Sequence, residues 1–148
     1  ARGGLARGYE NIEGELDVSD LPPSERFFAG GDTSVRGFTL DRLVNAETIT
    51  PSGFPTGGNG LIVLNSELRV NLFGRFQAAG FVDAGNVFPR ASDLRVTDLR
   101  PAAGFGVTYR SPFGPVRVDL GFNLDPQTFF GDIKERTWVV GILLGQPF

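Results

Sequence analysis

A period of two in the distribution of apolar side chains decides what this chain can fold into. In "LIVLNSELRVNLF", residues 61 to 73, Ile62, Leu64, Leu68, Val70 and Leu72 share the even positions with Ser66, while Asn65, Glu67, Arg69 and Asn71 stand at odd ones. Successive side chains of an extended strand point to opposite faces, so this pattern predicts a strand with one apolar and one polar face. "RFQAAGFVDAGNVF" (75 to 88) repeats the split, with Phe76, Ala78, Val82 and Ala84 against Arg75, Gln77 and Asp83. Three further strands follow. "AAGFGVTYR" (102 to 110) sets Phe105, Val107 and Tyr109 against Gly104, Gly106, Thr108 and Arg110. "PVRVDLGFN" (115 to 123) sets Val116, Val118, Leu120 and Phe122 against Arg117, Asp119 and Asn123. A last strand, 137 to 147 within "TWVVGILLGQPF", turns Trp138, Val140, Ile142 and Leu144 outward, with Gly141 and Gly145 on the other face. A weaker strand, "ARGGLARGYE", opens the chain.

A sheet that sits in water would also alternate, so the connections must decide. The link from about 12 to 59 is long, Gly74 is short, 89 to 101 is long, 111 to 114 ("SPFG") is short and 124 to 136 is long. Short turns at one end and long polar loops at the other are the pattern of a barrel in the outer membrane. The polar face also carries charges in mid-strand, at Glu67, Arg69, Asp83, Arg117 and Asp119. In a small dry core an unpaired charge is strongly destabilising, whereas a wet lumen accommodates it. The fold class expected is therefore all-β, an antiparallel transmembrane β-barrel segment of about six strands. No apolar run approaches the ~18 residues of a membrane-spanning helix; the longest, "WVVGILLG", covers 138 to 145.

Composition narrows the chemistry. The absence of cysteine and histidine excludes disulfides, thiolate metal sites and imidazole-dependent triads, and no cofactor or metal is expected. A net charge of -3 offers no basic surface for nucleic acid. Glycine, at 21 residues, stands well above its average usage of roughly 7% and favours turns and sheets. The glycine clusters "GGNG" (57 to 60) and "GFG" (104 to 106) lack the lysine and hydroxyl residue of a phosphate loop. "FVDAG" has a faint likeness to the aspartic-protease turn, with alanine in place of the hydroxyl residue and no second copy, so no catalytic residue is assigned.

The segment "ERFFAGGDTSVRGF" (25 to 38), followed by "NSELRV" (65 to 70), "GFVDAGNVF" (80 to 88), "GFGVTYRSPFGPVRVDLGF" (104 to 122) and "GQPF" (145 to 148), resembles in order the C-terminal half of the BamA/TamA-type outer-membrane assembly barrel. That superfamily also includes the two-partner-secretion transporters. The resemblance implies that the segment 12 to 59 is a plug-type loop folding back into the lumen with Val35, Arg36, Gly37 and Phe38 at its tip. It makes Arg36 the loop arginine and gives it Glu67 and Asp83 as partners. Both acids lie on the polar parity of adjacent strands, where one planar guanidinium can fork between two carboxylates. Gly37 would turn the backbone at the wall and Phe38 would wedge against it; Asp119 has no assigned partner and is read as wall.

Gly141, Gly145 and Pro147 weaken strand pairing, because glycine adds no packing and proline donates no ladder hydrogen bond. The resemblance implies a last-strand seam there that opens to a client strand, ending in a Phe148 like the recognition signature of barrels awaiting assembly. About six strands are fewer than the ~8 of the smallest single-chain barrels, so residues 1 to 148 are expected to join missing N-terminal barrel strands or further copies of the chain. The function implied is non-enzymatic: a component that inserts β-barrel proteins into the bacterial outer membrane, with outer-membrane lipids and unfolded barrel or secreted clients as partners. The alternatives are a two-partner-secretion pore and a structural barrel or anchor of a fused domain.

Overall fold

The computed structural model describes residues 2–5 and 23–145. Their strands are β1 (Arg2–Leu5), β2 (Gly60–Asn71), β3 (Phe76–Phe88), β4 (Arg100–Ser111), β5 (Gly114–Asn123), β6 (Thr128–Phe129), β7 (Ile133–Lys134) and β8 (Trp138–Leu144). Six of them form one antiparallel sheet in the order β1-β2-β3-β4-β5-β8, and β6 and β7 make a separate hairpin. The described part of the opening strand is β1, whose Leu5 pairs with Gly60. Residues 12 to 22 of the expected loop, together with Pro147 and Phe148, lie outside the described residues.

The turns explain the register. Gly74 adopts φ 64° in the β2–β3 turn, which Leu72 N–H closes by donating to Phe76 O at 3.0 Å. Gly114, at φ 128°, ends the two-residue β4–β5 link and pairs with Ser111. Both backbone angles favour glycine, and both tight turns fall at the same end of the sheet. The long links 89–99 and 124–137 leave from the other end.

The sheet has its apolar face exposed. Leu68 is 73% and Leu144 78% accessible, and Val82, Phe105, Val107, Val118, Trp138, Val140 and Ile142 are exposed beside them. The opposite face is buried although it carries Asp83, Thr108, Arg117, Asp119 and Asn123. A protein surrounded by water reverses this arrangement, whereas a wall facing lipid requires it. Among the described residues no helix is long and apolar enough to cross a membrane.

What covers the polar face is the irregular segment 23–59. It is pinned at its base by the Phe27–Gly58 backbone pair, with hydrogen bonds of 2.8 and 3.0 Å. Its Ala29, Val35, Phe38 and Leu43 pack against Val63, Val87 and Ala102 of the sheet. The link 124–136, expected to be a plain loop, instead contains the β6–β7 hairpin, and the link 89–101 contains short 3-10 turns at Ala91–Asp93 and Val96–Asp98. The hairpin forms because Phe129 and Ile133 bury against Val44 and Ile49 of the covering segment. Strands of two residues leave no periodic trace in a sequence.

Val107 lies mid-strand on the exposed apolar face. Val107→Arg is expected to destabilise the lipid-embedded chain by about 2–4 kcal/mol, the range for a cation near the bilayer midplane. Denaturant titration in vesicles checks this.

Candidate functional site

The covering segment reaches the sheet with a compact turn. Gly31 N–H donates to Phe38 O at 3.0 Å, Ser34 N–H to Gly31 O at 3.1 Å, and Gly30 N–H to Ser34 Oγ at 2.8 Å. Asn65 of β2 donates to Ser34 O at 2.7 Å. Gly37, at φ 101°, lies directly on the wall: an added β-carbon would come within 2.9 Å of Ala102 Cβ and 3.0 Å of the Phe122 carbonyl. Side chains rarely adopt that angle and none would fit that space. Phe38 is buried, and the Arg100 guanidinium lies 4.9 Å from its ring centroid.

This turn delivers Arg36 to two carboxylates. Its Nε and Nη2 each donate at 2.8 Å to the two oxygens of Asp83, and its backbone N–H adds a third bond to Asp83 Oδ2 at 3.0 Å. Nη1 donates to Glu67. The guanidinium carbon sits 3.7 Å from the centroid of the Phe81 ring, a cation–π contact. Asp83 has no solvent exposure, so the bidentate fork and the backbone N–H stand in for its hydration. Burial works against the Arg36 charge, but the hydrogen bonds from its guanidinium to Asp83 and Glu67 outweigh it and raise its pKa.

The constellation is larger than one arginine and two acids. Arg117 donates from Nη1 and Nη2 to Glu67 at 3.1 and 2.8 Å, and from Nε to both oxygens of Asp119 at 2.8 and 2.7 Å. Arg69 also pairs with Glu67. The result is an alternating chain, Asp83–Arg36–Glu67–Arg117–Asp119, that crosses the sheet from β3 to β5. Asp119, read from the sequence as plain wall without an assigned partner, is therefore part of the network. Gly104 and Gly106 leave the space above β4 free: Phe81 Cζ would lie 2.5 Å from a β-carbon at Gly104, and Asp119 Cγ 2.9 Å from one at Gly106. The two-residue spacing of Arg117 and Asp119 on one face was the signal for their pairing. The long reach of Arg117 to Glu67 left none.

A second cluster lies toward the long-link end. Arg100 is buried, donates to Val44 O at 2.9 Å and to Asp125 O at 2.6 Å, and pairs with Glu135. Of the expected seam residues, Gly141 lies inside the β8 ladder opposite Asp119, and Gly145 N–H donates to Pro115 O at 3.0 Å. Among the described residues no group of three or more acidic side chains could hold a metal ion.

Residues 2–142 match the Omp85 superfamily domain. The chain is 31% identical over 133 residues to the outer membrane protein assembly factor BamA of Nitratidesulfovibrio vulgaris, covering 84% of this chain and 15% of that protein. It is 29% identical over 128 residues to the chloroplastic outer envelope protein 80 of Arabidopsis thaliana, covering 81% and 16%. The chain thus spans a small part of the curated relatives it matches. Its fold superposes on the crystal structure of Haemophilus ducreyi BamA lacking POTRA domains 1–3 with a TM-score of 0.59 at 21% identity, over 83% of this chain and 28% of that one.

Arg36→Ala leaves Asp83 buried without a countercharge and should destabilise the docked segment by about 3–5 kcal/mol. Arg36→Lys should recover only part of that loss, because an ammonium cannot fork. Protease protection of residues 23–59 reads both. The pKa of Asp32 is raised above 3.8, first by burial and then by Asp119, with Arg36 and Arg117 opposing. A raised acid pKa in the folded state contributes stability that is full below 3.8 and lost as pH rises through the folded value. Asp32→Asn should therefore protect the segment better than the native residue at neutral pH and equally well in acid, which a pH series of the same protease assay measures.

Proposed function

Because this chain belongs to the Omp85 superfamily and carries a C-terminal BamA-type barrel segment of an outer membrane, we propose that it is a non-enzymatic component of a protein that inserts β-barrel clients into that membrane. The single observation that carries the proposal is the Arg36 fork on Asp83 and Glu67. It supports a reading of the described residues 23–59, within the loop expected over 12 to 59, as a plug held against the inner wall, with Val35, Arg36, Gly37 and Phe38 as its tip. The exposed apolar face contacts lipid, and the remaining barrel strands come from residues beyond this chain or from further copies.

In this reading the plug keeps the inner face ordered while the last strand, around Gly141, Gly145, Pro147 and Phe148, meets the first strand of the barrel at a seam. A client strand adds at that edge through main-chain hydrogen bonds, which carry affinity without requiring one sequence. Unfolded barrel proteins are accordingly the clients.

The test is client-barrel folding into liposomes that contain the full-length protein, native against Arg36→Ala. Accelerated client folding that falls several-fold in the variant is expected. Ion conductance and binding of an unfolded passenger, with no acceleration of client folding, would instead assign the protein to secretion.

A further inference from the structure

The seat of Asp32 on β8 ties the covering segment to the last strand. A β-carbon added at Gly141 would lie 2.5 Å from Asp32 Cγ, with both carboxylate oxygens also within contact distance. The Asp32 carboxylate therefore rests on the bare backbone of Gly141, in the space any other residue's side chain would take. Gly141 is the cross-strand partner of Asp119, and Asp119 of Gly106, so the seat lies in the same lateral row as the end of the ionic chain. In the adjoining row, Gly37 lies over Gly121, where a β-carbon would meet Gly37 Cα at 2.8 Å.

Asp32 and Arg36 belong to one closed turn, fixed by the Gly31–Phe38 and Ser34–Gly31 backbone bonds. The turn therefore touches β8 through Asp32, β5 through Gly37, and β2 and β3 through Arg36. Electrostatics alone do not account for the position of Asp32. Arg36 and Arg117 attract it, while Asp119 and burial oppose its charge. The missing side chain at Gly141 is what leaves room for it there.

We infer that Asp32 and Gly141 form a strut coupling the covering segment to the last strand, so that displacement of β8 is transmitted through the 31–38 turn to Arg36. This inference rests on the reading of that segment as a docked plug. It also gives Gly141 a role opposite in sign to weak pairing. If Gly141 serves only to loosen the ladder, Gly141→Ala strengthens β8, because glycine in a strand interior is destabilising relative to alanine. If Gly141 is the seat of Asp32, the same substitution drives the turn off the wall.

The experiment uses a reporter cysteine at Ala29, a residue of the covering segment buried against the sheet; residues 1–148 contain no cysteine, and any elsewhere in the full-length protein is replaced by serine. Maleimide labelling is followed in the full-length protein embedded in lipid bilayers. Gly141→Ala should label about tenfold faster than the parent, because the added methyl group overpacks the contact with Asp32. Adding Asp32→Ala removes the clashing carboxylate and should return the rate to near that of the parent. If Gly141→Ala alone does not fold, recovery of the folded protein in the double variant reads the same compensation. Labelling unchanged or slowed by Gly141→Ala, or a double variant no better than the single one, overturns the strut. Arg36→Ala in the same assay separates the two ideas: a reporter that stays protected there but is exposed by Gly141→Ala counts against arginine anchoring and leaves the strut standing.

Discussion

Asp83 is a carboxylate with no access to solvent, set in a face that must nevertheless remain charged, and the rest of the architecture answers to it. An ion removed from water is stable only when its lone pairs are filled by close donors of opposite charge. Arg36 fills them with two guanidinium bonds and a backbone N–H. That arginine lies in a segment outside the sheet, so Asp83 cannot be satisfied by the sheet alone. Glu67 and Arg117 extend the requirement sideways to Asp119. Three acids and two arginines share their hydrogen bonds, with Arg69 supplying the third positive charge. Its members come from β2, β3, β5 and the covering segment, which makes the network sensitive to the position of all four.

The network would not fit beneath side chains of ordinary size. Gly104, Gly106, Gly121 and Gly141 lie on the inner face of three neighbouring strands, and above them stand Phe81, Asp119, Gly37 and Asp32 respectively. Glycine weakens a strand in isolation. Here the backbone hydrogen bonds of the ladder hold the strands, and the missing side chains provide the floor on which the turn rests. On the opposite face the same strands present Phe105, Val107, Val118, Leu120, Phe122 and Val140, with no glycine in the corresponding run.

Much of the sheet could be read directly from parity, because a half-buried strand repeats every two residues whichever solvent it faces. The same parity put Glu67 and Asp83 on one face, and the resemblance drew Arg36 toward them. Register across the long link 89–101 is not encoded in any local pattern, so nothing in the sequence marked Arg117 as a second partner of Glu67. The hairpin β6–β7 escaped notice because its strands are too short to alternate. Gly141 was visible as a glycine, but the carboxylate above it comes from a segment more than a hundred residues earlier. A missing side chain says where space exists and not what fills it.

The sequence separation of the Arg36 contacts bears on the order in which the chain can assemble. Its partners lie 31 and 47 residues further on, whereas β2–β3 and β4–β5 are joined by turns of a few residues. Closing a short loop sacrifices less chain entropy than closing a long one, so the hairpins can form before the turn docks. Until then Glu67, Asp83, Arg117 and Asp119 stand on a face still in contact with water, hydrated and unburied. Docking is then the step that dries that face, converting a wet, locally zipped ribbon into a wall with a fixed interior.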